Sequence, residues 1–384
     1  MTTTTSAPVS SGSSGRSAAR AAATTAGGPS GRTASGVVPS SAARTSAGER
    51  SAAGTRARCL DTREQPTSAP ELRSSRDHRR VPGAAACPLP RHRRPRRAAR
   101  AGARGLGRVL PFWDYDVAES RRWWAAAVEA AVEGWPASVR SSVPVNVTVP
   151  AVDADRAHAI VVASGCGTAK VKVAEPGQSE ADELARVEAV RDALGPAGAI
   201  RVDANAAWDV DTAVSRIAGL DRRVGLEYVE QPCATLEELI ALRRRIDVRI
   251  AADEVVRRSA DPLRVDLREA CDVVVLKVQP LGGVRAALRV AEAHGLPCVV
   301  SSALESSVGI AAGVALAAAL PELPFACGLA TVALFTDDVT SSPLLPVGGE
   351  LPVVRPEPDR LAAVAADPDT DARWRARLEA VTAA

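Results

Sequence analysis

From Val143 the chain settles into a rhythm: short apolar runs rich in β-branched residues alternate with longer stretches of Ala, Leu, Arg and Glu at helical spacing. The runs are Val145–Val149, Ala169–Val173, Ile200–Ala204, Leu226–Glu230, Ile250–Asp253, Val273–Val278, Cys298–Ser301 and Phe325–Gly328. Such runs read as buried strands, and the stretches between them as helices, for example Glu180–Leu194, Val210–Gly219, Leu236–Ile246 and Gly283–His294. Strand–helix units repeating roughly every 20–30 residues predict an α/β fold in which eight parallel strands close into a (β/α) barrel. An open doubly wound sheet is the competing arrangement. It would want a glycine-rich phosphate loop after its first strand, and none is present.

The segments on either side have a different texture. Residues 109–143 open on Pro111-Phe112-Trp113-Asp114-Tyr115-Asp116 and continue as a helix from about Val117 to Glu133, with Pro136 to end it. They are expected to form part of an α+β cap on a barrel domain spanning 144–333. Residues 334–384 are expected to return to that cap, with short strands or turns around Gly348-Gly349 and helices over Asp359–Ala366 and Asp371–Ala383. Residues 1–108 hold no aromatic residue, no lysine and no sustained period, a composition that cannot bury a core and predicts disorder. Their Arg/Ser richness superficially resembles a transit peptide, and the run Arg91-His92-Arg93-Arg94-Pro95-Arg96-Arg97 a nucleic-acid-binding tail. The abrupt change near Val109 also fits translation from a shifted reading frame.

Charge is nearly balanced, 48 Lys+Arg against 45 Asp+Glu, but residues 1–110 hold only five acids (Glu49, Asp61, Glu64, Glu71, Asp77). The remaining body is therefore acidic, and no nucleic-acid partner is expected for it. Seven scattered cysteines without a CxxC pair indicate neither a disulfide framework nor a zinc site and fit a reducing cytoplasm. No apolar run approaches the ~18 residues of a membrane span.

Lysine occurs only as Lys170, Lys172 and Lys277, in a chain that uses arginine everywhere else. A buried lysine can lose its proton and act as a base, which arginine cannot. Two apart on one strand, Lys170 and Lys172 project side by side, and their repulsion is expected to lower the pKa of one. A solvated lysine pair is the ordinary alternative; the flanking Val171 and Val173 argue against it. Barrel chemistry lies at the carboxyl ends of strands. There the sequence places Asp203, Glu230 and Asp253 on three consecutive units. Any one could be a helix N-cap, but three together, with lysines on both sides, would repel unless a hard cation such as magnesium lay between them. A lysine base beside such a metal suits removal of a proton next to a carboxylate, whose dianionic enediolate the metal stabilises.

The ordered set Lys170-Val171-Lys172, Asp203-Ala204-Asn205, Glu230-Gln231-Pro232, Ala252-Asp253-Glu254, Leu276-Lys277 with Gln279–Gly283, Ser301–Gly309 and Gly328–Thr331 resembles the enolase superfamily. Within it the set is most similar to the o-succinylbenzoate synthases of actinobacterial menaquinone biosynthesis. The likeness runs from about Pro111 to the C-terminus. It implies a capped barrel that holds magnesium, or manganese in its place, on Asp203, Glu230 and Asp253, and acts on a small carboxylate substrate. By this resemblance Lys172 would take the proton α to the carboxylate of 2-succinyl-6-hydroxy-2,4-cyclohexadiene-1-carboxylate and return it to the departing hydroxyl on the same face. Lys277 would stay charged opposite, and Lys170 would tune Lys172. Arg201 and Asn205 would support the site, while Ser301, Ser302, Glu305 and Gly328 would meet the succinyl chain. An N-acylamino acid racemase or dipeptide epimerase would use the same groups with its two lysines on opposite faces. The family's cap also carries a mobile loop that closes over substrate, and residues 1–108 show no strand pattern to supply it. A lid-deficient, weakly active or inactive homologue is thus a further alternative.

Overall fold

The computed structural model describes residues 107–383. Contacts divide the chain into two units, Met1–Pro66 and Thr67–Ala384, and every described residue lies in the second. The disorder expected over most of 1–108 therefore falls outside the described residues. Gly107 and Arg108, its last two members, are buried, with the Arg108 guanidinium donating to Leu304 O at 3.1 Å.

Seven of the eight predicted runs become strands. In chain order they are β2 (Val147–Val149), β3 (Thr168–Lys172), β4 (Ala199–Asp203), β5 (Leu226–Glu230), β6 (Ile250–Ala252), β7 (Val273–Leu276) and β8 (Cys298–Val300), all parallel and each paired with its sequence neighbours. The eighth run, Phe325–Gly328, is reduced to single parallel bridges, Ser301 to Gly328 on one side and Val145 to Cys327 on the other. Pro321 and Pro324 precede it, and proline cannot extend a ladder. Those bridges carry short backbone bonds, Cys327 N–H to Pro144 O at 2.7 Å and Gly328 N–H to Val300 O at 2.8 Å, and they close the ring.

Helices α2 (Ala154–Ser164), α3 (Glu180–Leu194), α4 (Val210–Val224), α5 (Leu236–Arg243), α8 (Val284–His294) and α9 (Ser307–Ala319) follow successive strands, with one-turn helices α6 (Glu254–Arg257) and α7 (Val278–Leu281) after β6 and β7. Side-chain caps start α2 to α5: Asp153, Ser179, Asp209 and Thr235 each accept the N–H three residues on. Valines and isoleucines of the strands meet the apolar helix faces to form the main core, and Tyr228, Ala251, Val273, Val275 and Val299 fill the lower barrel interior.

Helix α1 (Val117–Val128) opens with a capping box on Asp116 and Glu119, buries Trp123 fully, and ends in a π-helical turn at Glu129–Glu133. The Glu129 carboxylate accepts the N–H groups of Val284 (2.5 Å) and Arg285 (3.1 Å) at the start of α8. A Cβ on Gly283 would lie 2.3 Å from that carboxylate, and its φ of +126° excludes other residues as well. At the other end, β1 (Ser142–Pro144) pairs antiparallel with β9 (Glu350–Pro352), directly before the first barrel strand. The last helix, α10 (Pro368–Ala383), packs on α1, and Trp374 stacks on Trp113 at 4.1 Å. The helix expected over Asp359–Ala366 is instead a run of turns at 359–364. Prolines flank it, and Asp359 accepts from the N–H and hydroxyl of Ser341.

Candidate active site

Strand register gathers the polar groups. Lys172 lies opposite Asp203, and Asp203 opposite Glu230, while Glu230 pairs with Ala251, so Asp253 follows two residues on along the same face. The Lys170 ammonium donates to Asp203 Oδ2 (3.2 Å) and to both oxygens of Glu230 (3.0 and 2.9 Å). Lys172 donates to the same Asp203 oxygen and to Asn205 Oδ1, both at 2.6 Å. Lys277, from the far side of the ring, donates to Asp253 Oδ2 at 2.7 Å. The lysines differ in access: side-chain exposure is 30% for Lys172 but 6% for Lys170 and 9% for Lys277. Of the three, Lys172 alone is partly open to solvent.

The charges are strongly interdependent. Burial would raise the Asp203 pKa, but Lys172 and Lys170 hold it well below the usual carboxylate range. Burial together with Asp203 raises Glu230, against the pull of Lys170. Asp253, buried yet paired with Lys277 and Arg257, is lowered to about 2. Glu254 is pushed up to about 7 by burial and the charge of Asp253. Burial opposes the Lys170 charge, but Glu230 and Asp203 outweigh it and hold this ammonium above the ordinary lysine range. The lysine repulsion expected from the sequence therefore does not govern Lys170, because its nearest charges are carboxylates on the next strands.

Asp203, Glu230 and Asp253, 0–1% exposed, form an all-carboxylate donor set of the kind that suits a hard divalent cation. Their oxygens are turned toward Lys170, Lys172, Lys277 and Arg257, and among the described residues no three such side chains stand at metal-ligating geometry.

The remaining predicted residues divide. Asn205 bridges Lys172 and Glu254, its Nδ2 donating to Glu254 Oε1 at 3.2 Å. Arg201 lies deeper, on the barrel floor, where it bonds Glu227, Asn146 and the Ala326 carbonyl and not the acids. Ser301 and Gly328 close the ring side by side; a Cβ on Gly328 would come within 2.7 Å of Ser301 Oγ. Ser302 bonds Gly328 O (3.0 Å) and Thr331 (2.8 Å). Glu305 is turned inward, 1% exposed, holding the Ala303 N–H (3.3 Å) near Arg108, and burial raises its pKa. All five described non-glycine residues with positive φ (Ala174, Asn205, Ala206, Gln231 and Leu304) follow strands at this rim, where strain is expected at a functional site.

Three residues of the site escaped the sequence reading. Thr148, paired in register with Lys170, is buried with an unpartnered hydroxyl. Tyr228, two before Glu230 and paired in register with Arg201, lies near Lys170. Arg257, four after Asp253, donates to its Oδ1 at 3.0 Å. Strand alternation could have flagged the first two, and helical spacing the third.

A closed parallel barrel with these lysines and acids at its rim is the arrangement of the enolase superfamily, to which the chain belongs: the enolase C-terminal domain-like family matches residues 153–359 and the enolase N-terminal domain-like family residues 97–131. The second match begins inside the segment read from composition as tail. Among solved structures, the muconate lactonizing enzyme of Pseudomonas fluorescens, complexed with muconolactone, is similar at a TM-score of 0.56 and 25% identity, over 64% of this chain and 73% of that one. The L-Ala-D/L-Glu epimerase of Bacillus subtilis gives 0.53 and 26%, over 60% and 70%. Sequence relatives are far nearer. The o-succinylbenzoate synthase of Thermobifida fusca is 66% identical over 285 residues, 74% of this chain and 89% of the relative, and that of Mycolicibacterium smegmatis is 52% identical over 276 residues, 71% and 84%. Within the superfamily, then, the chain is a member of the o-succinylbenzoate synthase family.

Proposed function

We infer that this chain dehydrates 2-succinyl-6-hydroxy-2,4-cyclohexadiene-1-carboxylate to 2-succinylbenzoate, a step of menaquinone biosynthesis carried out in the cytoplasm. Asp203, Glu230 and Asp253 would hold a divalent cation, magnesium or alternatively manganese, which when bound stabilises the second negative charge that develops on the substrate carboxylate. The observation that carries the reading is the unequal exposure of the lysines. Lys172, open to the pocket beside Asp203 and Asn205, would take the α proton as a free amine and, as the ammonium so formed, give a proton to the hydroxyl leaving the same face. Lys170, locked between Asp203 and Glu230, stays charged and fixes those two acids in place. Lys277 keeps its proton on the opposite side, where it stabilises the anionic ring. Ser301, Ser302 and the backbone at Gly328 would line the succinyl end. Glu305, turned inward, would shape that loop from beneath. Residues 109–143 and 334–384 would serve as the cap over a barrel of 144–333.

Opposed lysines also suit the epimerase reaction, but the epimerase likeness is 26% against 66% for a dehydrating relative. Dehydration is the better-supported reading. The test is conversion of the cyclohexadiene to the aromatic product. Chelation by EDTA should abolish it and MgCl2 should restore it; full turnover in excess chelator would sink the metal assignment.

The unpartnered Thr148 hydroxyl gives a second expectation. Thr148→Val keeps the shape and removes a buried polar group, so the melting temperature should hold or rise. If the hydroxyl meets the substrate carboxylate, KM should climb about tenfold, the loss of one hydrogen bond to a charged group. Unchanged KM would remove Thr148 from the binding site.

A further inference from the structure

Arg257 lies one turn after Asp253, and each of its three guanidinium nitrogens has a different partner. Nε donates to Asp253 Oδ1 (3.0 Å), Nη2 to Glu254 Oε1 (2.7 Å), and Nη1 to the hydroxyl of Tyr115, a cap residue 142 positions away. The path continues toward the base. Glu254 Oε1 also accepts from Asn205, and Asn205 accepts from Lys172. A continuous hydrogen-bonded line thus runs from the cap to the Lys172 amine, with a branch to Asp253.

Neighbouring contacts tie the same two segments together. Arg122 of α1 donates to the carbonyls of Arg257 (3.2 Å), Ser259 (2.8 Å) and Ala260 (2.7 Å). Arg258 pairs with Asp114 (3.0 Å) and Glu119 (3.2 Å), and its guanidinium lies 4.8 Å from the centre of the Tyr115 ring. Tyr115 and Arg257 are 5% and 9% exposed, so the link is formed out of solvent. The cap holds the barrel through the very turn that carries Asp253.

We propose that Arg257 is a positioning residue through which the seating of the cap, by way of Tyr115, orients both Asp253 and Lys172. This rests on the reading of Asp253 as a metal ligand and Lys172 as the base. Arg257 fixes one oxygen of Asp253 and Lys277 the other, so the carboxylate cannot rotate. A lysine in its place would keep the charge and lose the planar fork that reaches three partners. Partners behind a metal ligand are commonly worth 10–100-fold in metal affinity.

The experiment measures Mn2+ affinity of the full chain from the paramagnetic resonance of free Mn2+, with kcat and KM determined in parallel. Arg257→Lys is expected to weaken Mn2+ at least about tenfold and to lower kcat more than it raises KM. Tyr115→Phe, which removes one hydroxyl and keeps the ring, should shift both in the same direction by a smaller factor with little change in melting temperature. Should Arg257→Lys fail to fold, Tyr115→Phe decides alone. Asp253→Asn serves as the reference. If it binds Mn2+ as tightly as the unmodified chain, the metal-ligand reading itself falls. If it loses Mn2+ while Arg257→Lys and Tyr115→Phe bind and turn over within about twofold of the unmodified chain, the coupling is overturned and the metal-ligand reading stands.

Discussion

Lys172→Ala is expected to lower kcat for dehydration by about 10³–10⁴-fold or more, because one amine serves as base and then as acid and each role contributes about 10²–10⁴-fold. Structure should change little. The Lys172 side chain is partly exposed, and the Asp203 oxygen it leaves keeps the Lys170 ammonium at 3.2 Å. Lys277→Ala should behave differently. It would also lose activity, but it removes one of the two partners of buried Asp253, whose other oxygen keeps Arg257 at 3.0 Å, and should cost about 1.5–3 kcal/mol of stability. Steady-state rates, thermal melts and exchange of the α hydrogen in D2O separate the two. Exchange should vanish in Lys172→Ala, since Lys170, the other amine on that side, is locked between Asp203 and Glu230. A Lys172→Ala protein that retains exchange, or turns over within about tenfold of the unmodified chain, would refute the assignment.

Groups whose placement follows from strand alternation were legible in the sequence. Lys172, Asp203, Glu230 and Asp253 sit at or just beyond strand carboxyl ends, Lys170 two residues before the end of β3, and all share the inward face, as a period of two dictates. The sign of the Lys170 shift was not legible. Sequence offers only the neighbour on the same strand, roughly 7 Å away along the chain, whereas the carboxylates of β4 and β5 come within 2.9–3.2 Å. Such cross-strand distances depend on register, which the local sequence does not carry. Arg201 illustrates a related limit: it is paired in register with Lys170 and shares its inward face, yet its side chain runs to Glu227, Asn146 and Ala326 while that of Lys170 reaches Asp203 and Glu230, a direction that alternation does not give. The inward turn of Glu305 was not legible, because a loop has no period to say which way a side chain points. The Tyr115–Arg257 contact joins residues 142 apart, and nothing local anticipates it.

Arg201→Met should lower the melting temperature by about 10 °C, from a loss of about 3–5 kcal/mol at roughly 2–4 °C per kcal/mol. The ring is weakest where the eighth run makes bridges and not a ladder, and Arg201 spans that seam. Its guanidinium, fully buried, donates to Ala326 O (2.6 Å) and Asn146 Oδ1 (3.1 Å), pairs with Glu227 (2.5 Å) and lies 4.7 Å over the Tyr228 ring. Methionine refills much of the volume but leaves the Ala326 carbonyl and Asn146 without a donor. Glu227 is 24% exposed and can recover some hydration, and Arg201 Nη2 has no partner to lose, which limits the cost. Charge and seam can be separated by a second substitution. If the loss is the stranded Glu227 charge, Arg201→Met with Glu227→Met should regain most of the stability, as replacing both members of a buried pair often does. If the loss is the bond to Ala326, the double variant stays as unstable as the single one, and amide exchange should quicken at Cys327 and Gly328, whose N–H groups close the ring. A melting temperature unmoved by Arg201→Met would mean that the bridges hold the barrel shut without it.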